Sequence, residues 1–319
     1  MDTRTQSSVT GLSGAWSAYR TWAATARYHK DAIDFCNRWG LWLAVAGAVL
    51  ATIGDQIAPH GPQEGAGMYL YRAPGMLAAA LIALAAYFSA QALGDRDKIW
   101  IRCRAAAESI KASIYLYRAS VPPFDTPNRA AELGQRVEKT LQDMKDIEIR
   151  PPDANETKPD LERLTVEKYV DDRVVEQINW YRKRAREFQA ESDRYARIVR
   201  IFGGISAALG IVAAVTGVAA WIAVIATLTT AFTAYVKNQR YQTLIGTYLA
   251  TATRLELLKD QWLDSGKTDA DKADRDSLIQ RCEETMALEN SAWVAQWKDQ
   301  QPQSGTVDPA KAGNGEATK

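Results

Sequence analysis

The sequence predicts an all-α membrane protein: two tandem transmembrane helical hairpins, four spans in all, with long coiled-coil-like helices on the cytoplasmic side. Three observations carry that expectation. No charged residue falls between Arg38 and Asp55, between Arg72 and Asp95, or between Arg200 and Lys237, and Ala, Leu, Ile, Val and Gly fill most of these gaps. Lys and Arg crowd the outer flank of every gap, whereas the loops inside the hairpins carry almost none. A stripe of small residues in the first span returns, position by position, 163 residues later. The averages hide all this: 24% charged residues and a mean hydropathy of −0.28 look like a soluble two-domain chain only because charge-free and charge-rich segments are pooled.

A helix needs roughly 20 mostly apolar residues to cross a hydrocarbon core of about 30 Å. Residues 39–57 and 73–93 meet that length. The segment between them holds Pro59, Gly61, Pro62, Gly65 and Gly67, the composition of a loop. The third gap, 201–236, is long for one span and barely enough for two. Two short spans, 201–216 and 218–236 with a turn at Gly217, are preferred, and one long tilted helix stays open. Basic residues mark cytoplasmic ends: Arg27, Lys30 and Arg38; Arg96, Lys98, Arg102 and Arg104; Arg194, Arg197 and Arg200; Lys237 and Arg240. Both hairpins therefore dip outward from the cytoplasm, with both termini in the cytoplasm. The first 38 residues hold no apolar run fit for a cleaved signal, so the first span directs insertion. The rival, a soluble bundle with very apolar core helices, must bury uncharged runs too long for a chain this size.

Gly40, Ala44, Gly47, Ala51 and Gly54 align with Gly203, Ala207, Gly210, Ala214 and Gly217. The four, three, four, three spacing keeps each set on one slightly drifting helical stripe. Small residues let membrane helices approach closely where lipid supplies no hydrophobic drive, so each stripe reads as a packing seam. Two stripes in one register, each opening a hairpin with the same flanking charges, point to duplication.

The organisation that follows is a polar segment 1–14, a first unit 15–150, a Pro-rich linker 151–160, a second unit 161–299 and a disordered tail 300–319. A coiled-coil seam leads into the third span: Val174, Ile178, Tyr181, Ala185, Phe188, Ser192, Tyr195 and Val199. It resumes after the fourth in Tyr241, Ile245, Tyr248, Ala252 and Leu255, then in Ile279, Cys282, Met286, Glu289, Trp293 and Trp297. Residues 99–121 and 128–149 are the helices of the first half, the second with Leu133, Val137, Leu141, Met144 and Ile147 on one face. The expected packing sets the helix before each hairpin against the helix after it.

No catalytic or cofactor constellation is visible. His29 and His60 fall in different compartments, the three cysteines are far apart, and no phosphate-binding glycine motif follows a strand. Three dispersed cysteines suit a reducing compartment. The near-zero net charge argues against nucleic-acid binding. Carboxylates sit among basic residues at helical spacing, as solvated ion pairs do. No enzyme, metal or cofactor is expected. The polar residues inside the fourth span are Thr227, Thr230 and Thr233, with Thr229 beside them. Threonine in a membrane helix ordinarily bonds its own backbone carbonyl four residues back; the functional alternative is a polar strip lining a water-filled path in an oligomer. Asp55 at the outer mouth, with Asp34, Asp95 and Asp97 near the inner one, would bias such a path toward cations.

Tyr169-Val-Asp-Asp-Arg173, then Ile178-Asn-Trp180-Tyr181 and Ala185, leading through Tyr195 into a hairpin, resembles the prokaryotic SLATT domains, the SMODS- and SLOG-associating two-transmembrane effectors. Glu289-Asn-Ser-Ala-Trp293 fits the same pattern. Trp100-Ile-Arg102-Cys-Arg104-Ala-Ala-Ala-Glu108-Ser109, after the first hairpin, is similar to a second variant of the domain. The resemblance spans residues 15–299. It implies an effector of nucleotide-linked antiviral defence in the bacterial cell inner (plasma) membrane, which opens a pore or perturbs the membrane when triggered by a cytoplasmic sensor protein or a signalling nucleotide. With the packing seams, the expectation is a homo-oligomer in the lipid bilayer. The alternative is a non-conducting membrane scaffold that recruits a soluble partner enzyme.

Overall fold

The computed structural model describes residues 11–62, 64–92, 95–152, 162–216 and 219–298, all helix, turn or coil with no strand among them. Gly217, most of the 151–160 linker and the 300–319 tail lie outside the described residues. So do the side chains of Ala214, Trp293 and Trp297.

Helix α1 (Leu12–Ile57) runs 46 residues without a break, about 70 Å at 1.5 Å per residue. Its second half packs against α2 (Ala66–Ala92) as a hairpin and its first half against α3 (Arg96–Ala119), which carries α4 (Arg129–Gln142). The second half of the chain repeats the plan. Short α5 (Val166–Tyr169) passes through a π-helical turn, Val170–Val175, into α6 (Glu176–Thr216). α6 packs along α7 (Ala219–Gln239) and along α8 (Tyr241–Asp264), and α9 (Lys272–Lys298) closes over α8 and α3. Residues 201–236 thus fold back as two packed helices. Arg240, in the left-handed region at φ 51°, is the joint between α7 and α8. Both units place the helix before the hairpin against the helix after it.

Two stretches, Leu12–Ile57 and Gly67–Ala119, are long and apolar enough to cross a membrane. Only 17% and 18% of their most apolar windows are buried. A soluble bundle hides such helices, so this exposure weighs against one. α7 lies on α1: Trp42 meets Phe232 edge-on at 5.8 Å, and Trp221 Nε1 donates to Gln56 Oε1 at 3.1 Å. Gln56 ends α1 and Trp221 begins α7, so the two hairpin tips lie on the same side. The apolar helices form a row in the order α2, α1, α7, α6.

The charged layer below the hairpins has two joined cores. One gathers Trp22, Ile33, Trp100, Cys103, Ile110, Phe124, Leu133 and Val137. The other gathers the second-unit seam, with Val174, Ile178, Tyr181, Ala185, Tyr241, Ile245, Tyr248, Ala252, Leu255, Ile279, Cys282 and Met286 all buried. Tyr115, Ala119 and Val121 of the first unit belong to this second core. The units share a hydrophobic interior.

Candidate functional site

The second unit begins at a cap. Thr165 Oγ1 accepts from the Lys168 backbone N–H at 3.4 Å, and the Val166 N–H donates to Asp269 Oδ1 at 3.1 Å. These fix the approach to the π-helical turn, a rare feature found often at functional positions. Tyr169, just before this wider turn, and Arg173 within it converge on a single carboxylate. Tyr169 Oη donates to Glu283 Oε1 at 3.0 Å, while Arg173 Nε and Nη2 donate to Oε1 and Oε2, each at 3.0 Å. Arg173 is 3% exposed and its guanidinium lies 4.6 Å from the Tyr115 ring centroid of α3. Burial alone would depress Arg173, but the Glu283 carboxylate outweighs it and holds the guanidinium above its ordinary range. The bidentate fork suits a site where water is excluded.

About two helical turns along α9, Glu289 repeats the arrangement with partners from both units. Tyr181 Oη donates to Glu289 Oε2 at 3.3 Å. Arg104 Nη2, from α3, stands 3.6 Å from Oε1, too far for a hydrogen bond and close enough for an ion pair. Burial pushes the Glu289 carboxyl up, opposed by Arg104 and by the Tyr181 hydroxyl. Lys111, also on α3, stands 5.6 Å from the Tyr19 ring of α1 and is pushed down by burial and by Arg173. Tyr19 itself is pushed up to about 12, chiefly by burial. The result is a buried belt in which Arg173–Glu283 and Arg104–Glu289 tie the π-helical turn and α3 to α9, with Lys111 of α3 over Tyr19 of α1. Glu283 and Glu289 therefore depart from the expectation of solvated carboxylates. They are the buried counter-charges of Arg173 and Arg104.

The two small-residue stripes have different fates. A Cβ on Gly40 would meet Ser89 Oγ at 3.0 Å, on Gly47 Ile82 Cγ1 at 2.7 Å, and on Gly54 the Gly75 backbone N at 2.8 Å. Ala44 and Ala51, half-buried, complete this α1–α2 seam. A Cβ on Gly203 or Gly210 would meet nothing within 4 Å, and Ala207 is exposed between them. Gly203 and Gly210 of the second stripe thus have no neighbour among the described residues. Thr227, Thr230 and Thr233 share an exposed face of α7. Their hydroxyls donate to the carbonyls of Ala223, Ala226 and Thr229, at 2.9, 3.0 and 2.8 Å. Asp55 is exposed one residue before Gln56, hence beside the start of α7.

At the other end of the first hairpin, Lys30 pairs with Asp34 at 2.7 Å and Lys98 with Asp95 at 3.3 Å. Asp97 is left with its Oδ1 buried and unbonded. Burial pushes its carboxyl up to about 6, with Lys30 opposing and Asp34 adding. Among the described residues no group of three or more His, Cys, Asp or Glu is placed to hold a metal ion. Burial pushes the Cys103 and Cys282 thiols up to about 11 and about 12, well away from nucleophilic use.

Residues 18–170 match SLATT_3, the SMODS and SLOG-associating 2TM effector domain 3, and residues 169–293 match SLATT_1, the SMODS and SLOG-associating 2TM effector domain 1. The chain belongs to the SLATT family, as two such domains in tandem. No curated protein and no solved structure matches it. The two SLATT matches meet at Tyr169, the first residue of the π-helical cluster. The motif of the second SLATT unit supplies Tyr169, Arg173, Tyr181 and Glu289, and that of the first supplies Arg104. Sequence reading missed two participants. Glu283 stands one position off the Ile279, Cys282, Met286 seam, where a carboxylate looks solvent-facing. The first half of α1 carries no long apolar run, and its buried Ala15, Trp22, Ala26 and Ile33 follow a stripe too sparse to stand out.

Proposed function

We propose that this tandem SLATT protein is a non-enzymatic, homo-oligomeric effector of the bacterial inner membrane, with four spans and both termini cytoplasmic. It opens a conducting path when its cytoplasmic helices are displaced within a nucleotide-linked antiviral defence system. The observation that supports this reading most is the continuity of α6. One uninterrupted helix of 41 residues starts at the Arg173–Glu283 cluster and ends in the second apolar hairpin. A tilt or rotation at the cluster moves the uncovered Gly203–Gly210 stripe with it. α1 links the first hairpin to the same charged layer. A sensor protein or a signalling nucleotide that re-pairs the buried charges would thereby act on both hairpins.

In that reading the exposed Thr227, Thr230 and Thr233 face borders the path and Asp55 stands at its outer mouth. The alternative, a non-conducting scaffold that recruits a soluble enzyme, draws support from the threonines' own-carbonyl bonds, the ordinary state of a structural threonine. Liposome flux separates them. Protein reconstituted with its trigger should pass ions or a small dye, and Thr230→Leu should abolish the flux while leaving the oligomer mass unchanged. A silent bilayer with every trigger supplied overturns the pore, and unchanged flux in Thr230→Leu removes the strip from it. A reporter fused to Lys319 and found outside the cell would refute the topology.

A further inference from the structure

We propose that the open groove between α8 and α9 docks an acidic amphipathic helix of another protein. The groove measures about 640 Å³ and is lined by Leu249, Thr253, Arg254 and Leu257 of α8 with Arg281 of α9. Leu249 and Leu257 are 46% and 57% exposed, an apolar cost on an otherwise charged layer. Both guanidiniums are without a carboxylate partner among the described residues. On the side of α8 that faces α6, Arg182 is paired with Glu256; in the first unit, exposed Arg102 is paired with Asp146 and Arg136 with Glu132. Here the lining provides apolar contact and positive charge but no acid. The complement is a third helix laid into the cleft, with apolar anchors at i, i+3 or i+4 and i+7 and carboxylates placed for the two forks. From Leu249 to Leu257 the groove runs about 12 Å, room for two turns of such a helix.

Other occupants fit less well. A second copy is anchored in the same bilayer, so its α8 runs the same way. A two-fold contact about the membrane normal then sets each Arg254 beside its counterpart and each Arg281 likewise, like charges in a closing interface. An anionic lipid headgroup is out of reach. Tyr248, next to Leu249, stacks on Phe188, about 20 Å along unbroken α6 from Ile201, the first residue of the charge-free stretch, more than two Debye lengths at physiological ionic strength.

The test uses the full chain in nanodiscs of zwitterionic lipid and two fluorescein-labelled designed helices of about five turns, one built of Leu and Glu, its counterpart of Leu and Lys. Anisotropy should show saturable binding of the Leu/Glu helix, weakening as salt rises. The double variant R254E/R281E should bind it at least tenfold more weakly and should prefer the Leu/Lys helix. Leu257→Gln should weaken the Leu/Glu helix without altering the charge preference, a readout that remains if the double variant fails to fold. Equal binding of the two helices, or equal affinity in wild type and a folded double variant, overturns the proposal. So does a fall in the oligomer mass of the double variant without peptide, which assigns the groove to a second copy.

Discussion

Removing the Glu283 carboxylate is the sharpest test of the buried charge belt. Arg173 is 3% exposed, and every hydrogen bond shown for its guanidinium ends on Glu283, at 3.0 Å. Glu283→Ala leaves this cation desolvated and Tyr169 Oη without its acceptor. An uncompensated buried charge costs about 3–5 kcal/mol, and the exposed pair Arg136–Glu132 is worth at most about 1 kcal/mol. The loss falls on the contact between α9 and the π-helical turn, so it is local before it is global. Hydrogen exchange of α9 and of residues 166–178 in detergent-solubilised protein reads it directly. At about 1.4 kcal/mol per tenfold, Glu283→Ala should speed exchange by at least a hundredfold, and Glu132→Ala should change exchange in α4 by less than tenfold. The double replacement R173M/E283M removes both charges and fills the space, and should return exchange to within about tenfold of wild type. If Glu283→Ala leaves exchange unchanged, or if the double variant exchanges as fast as the single one, the belt is not a charge lock and the reasoning fails.

Asp97, with its carboxyl pushed up to about 6, contributes stability that is complete below the ordinary aspartate value of 3.8 and is lost as pH rises through about 6. The melting temperature of wild type in detergent should therefore fall between about pH 4 and pH 7, Asp97→Asn should flatten that fall, and an unchanged slope would assign it to another group. Gly47→Leu should break the α1–α2 hairpin, seen as lost intrachain cross-linking between cysteines placed on the two helices, because even a Cβ there comes within 2.7 Å of Ile82 Cγ1. Gly210→Leu, with nothing within 4 Å, should leave the α6–α7 hairpin intact and lower the oligomer mass; loss of folding in Gly210→Leu and retention in Gly47→Leu would reverse the assignment of the two seams.

The apolar spans and seams were legible because they are periodic. Bulk hydrophobicity writes the spans, and the recurrence of Val174, Ile178, Tyr181 and Ala185 writes the α6 seam that faces α8. Partners separated by a hundred residues leave no such trace. Arg173 and Glu283 are 110 positions apart, and each alone looks like a helical surface charge. Glu289 sits on the seam and disturbs its register; its burial against Tyr181 explains why a carboxylate occupies an apolar position. The first half of α1 was hidden for a related reason. Helix α3 covers it with small residues, Ala106 and Ala107, so few large side chains are needed on the facing side.

The small-residue stripes show where pattern stops being informative. Four, three, four, three spacing of Gly and Ala records that a backbone comes close, never whose. In the first unit the answer is α2, which at Gly47 and Gly54 comes too close for a Cβ to fit without a shift. In the second unit α7 approaches α6 on another face, where Phe202 meets Phe232 at 5.6 Å, and the stripe stays uncovered. α7 is shared between the two hairpins. It also receives α1, through Trp42 on Phe232 and Gln56 on Trp221, so Phe232 packs between α1 and α6. The first unit thus uses its stripe inside the hairpin, while Gly203 and Gly210 of the second lie open among the described residues. The homo-oligomer proposed above would use that open stripe as its seam, which the oligomer mass of Gly210→Leu tests.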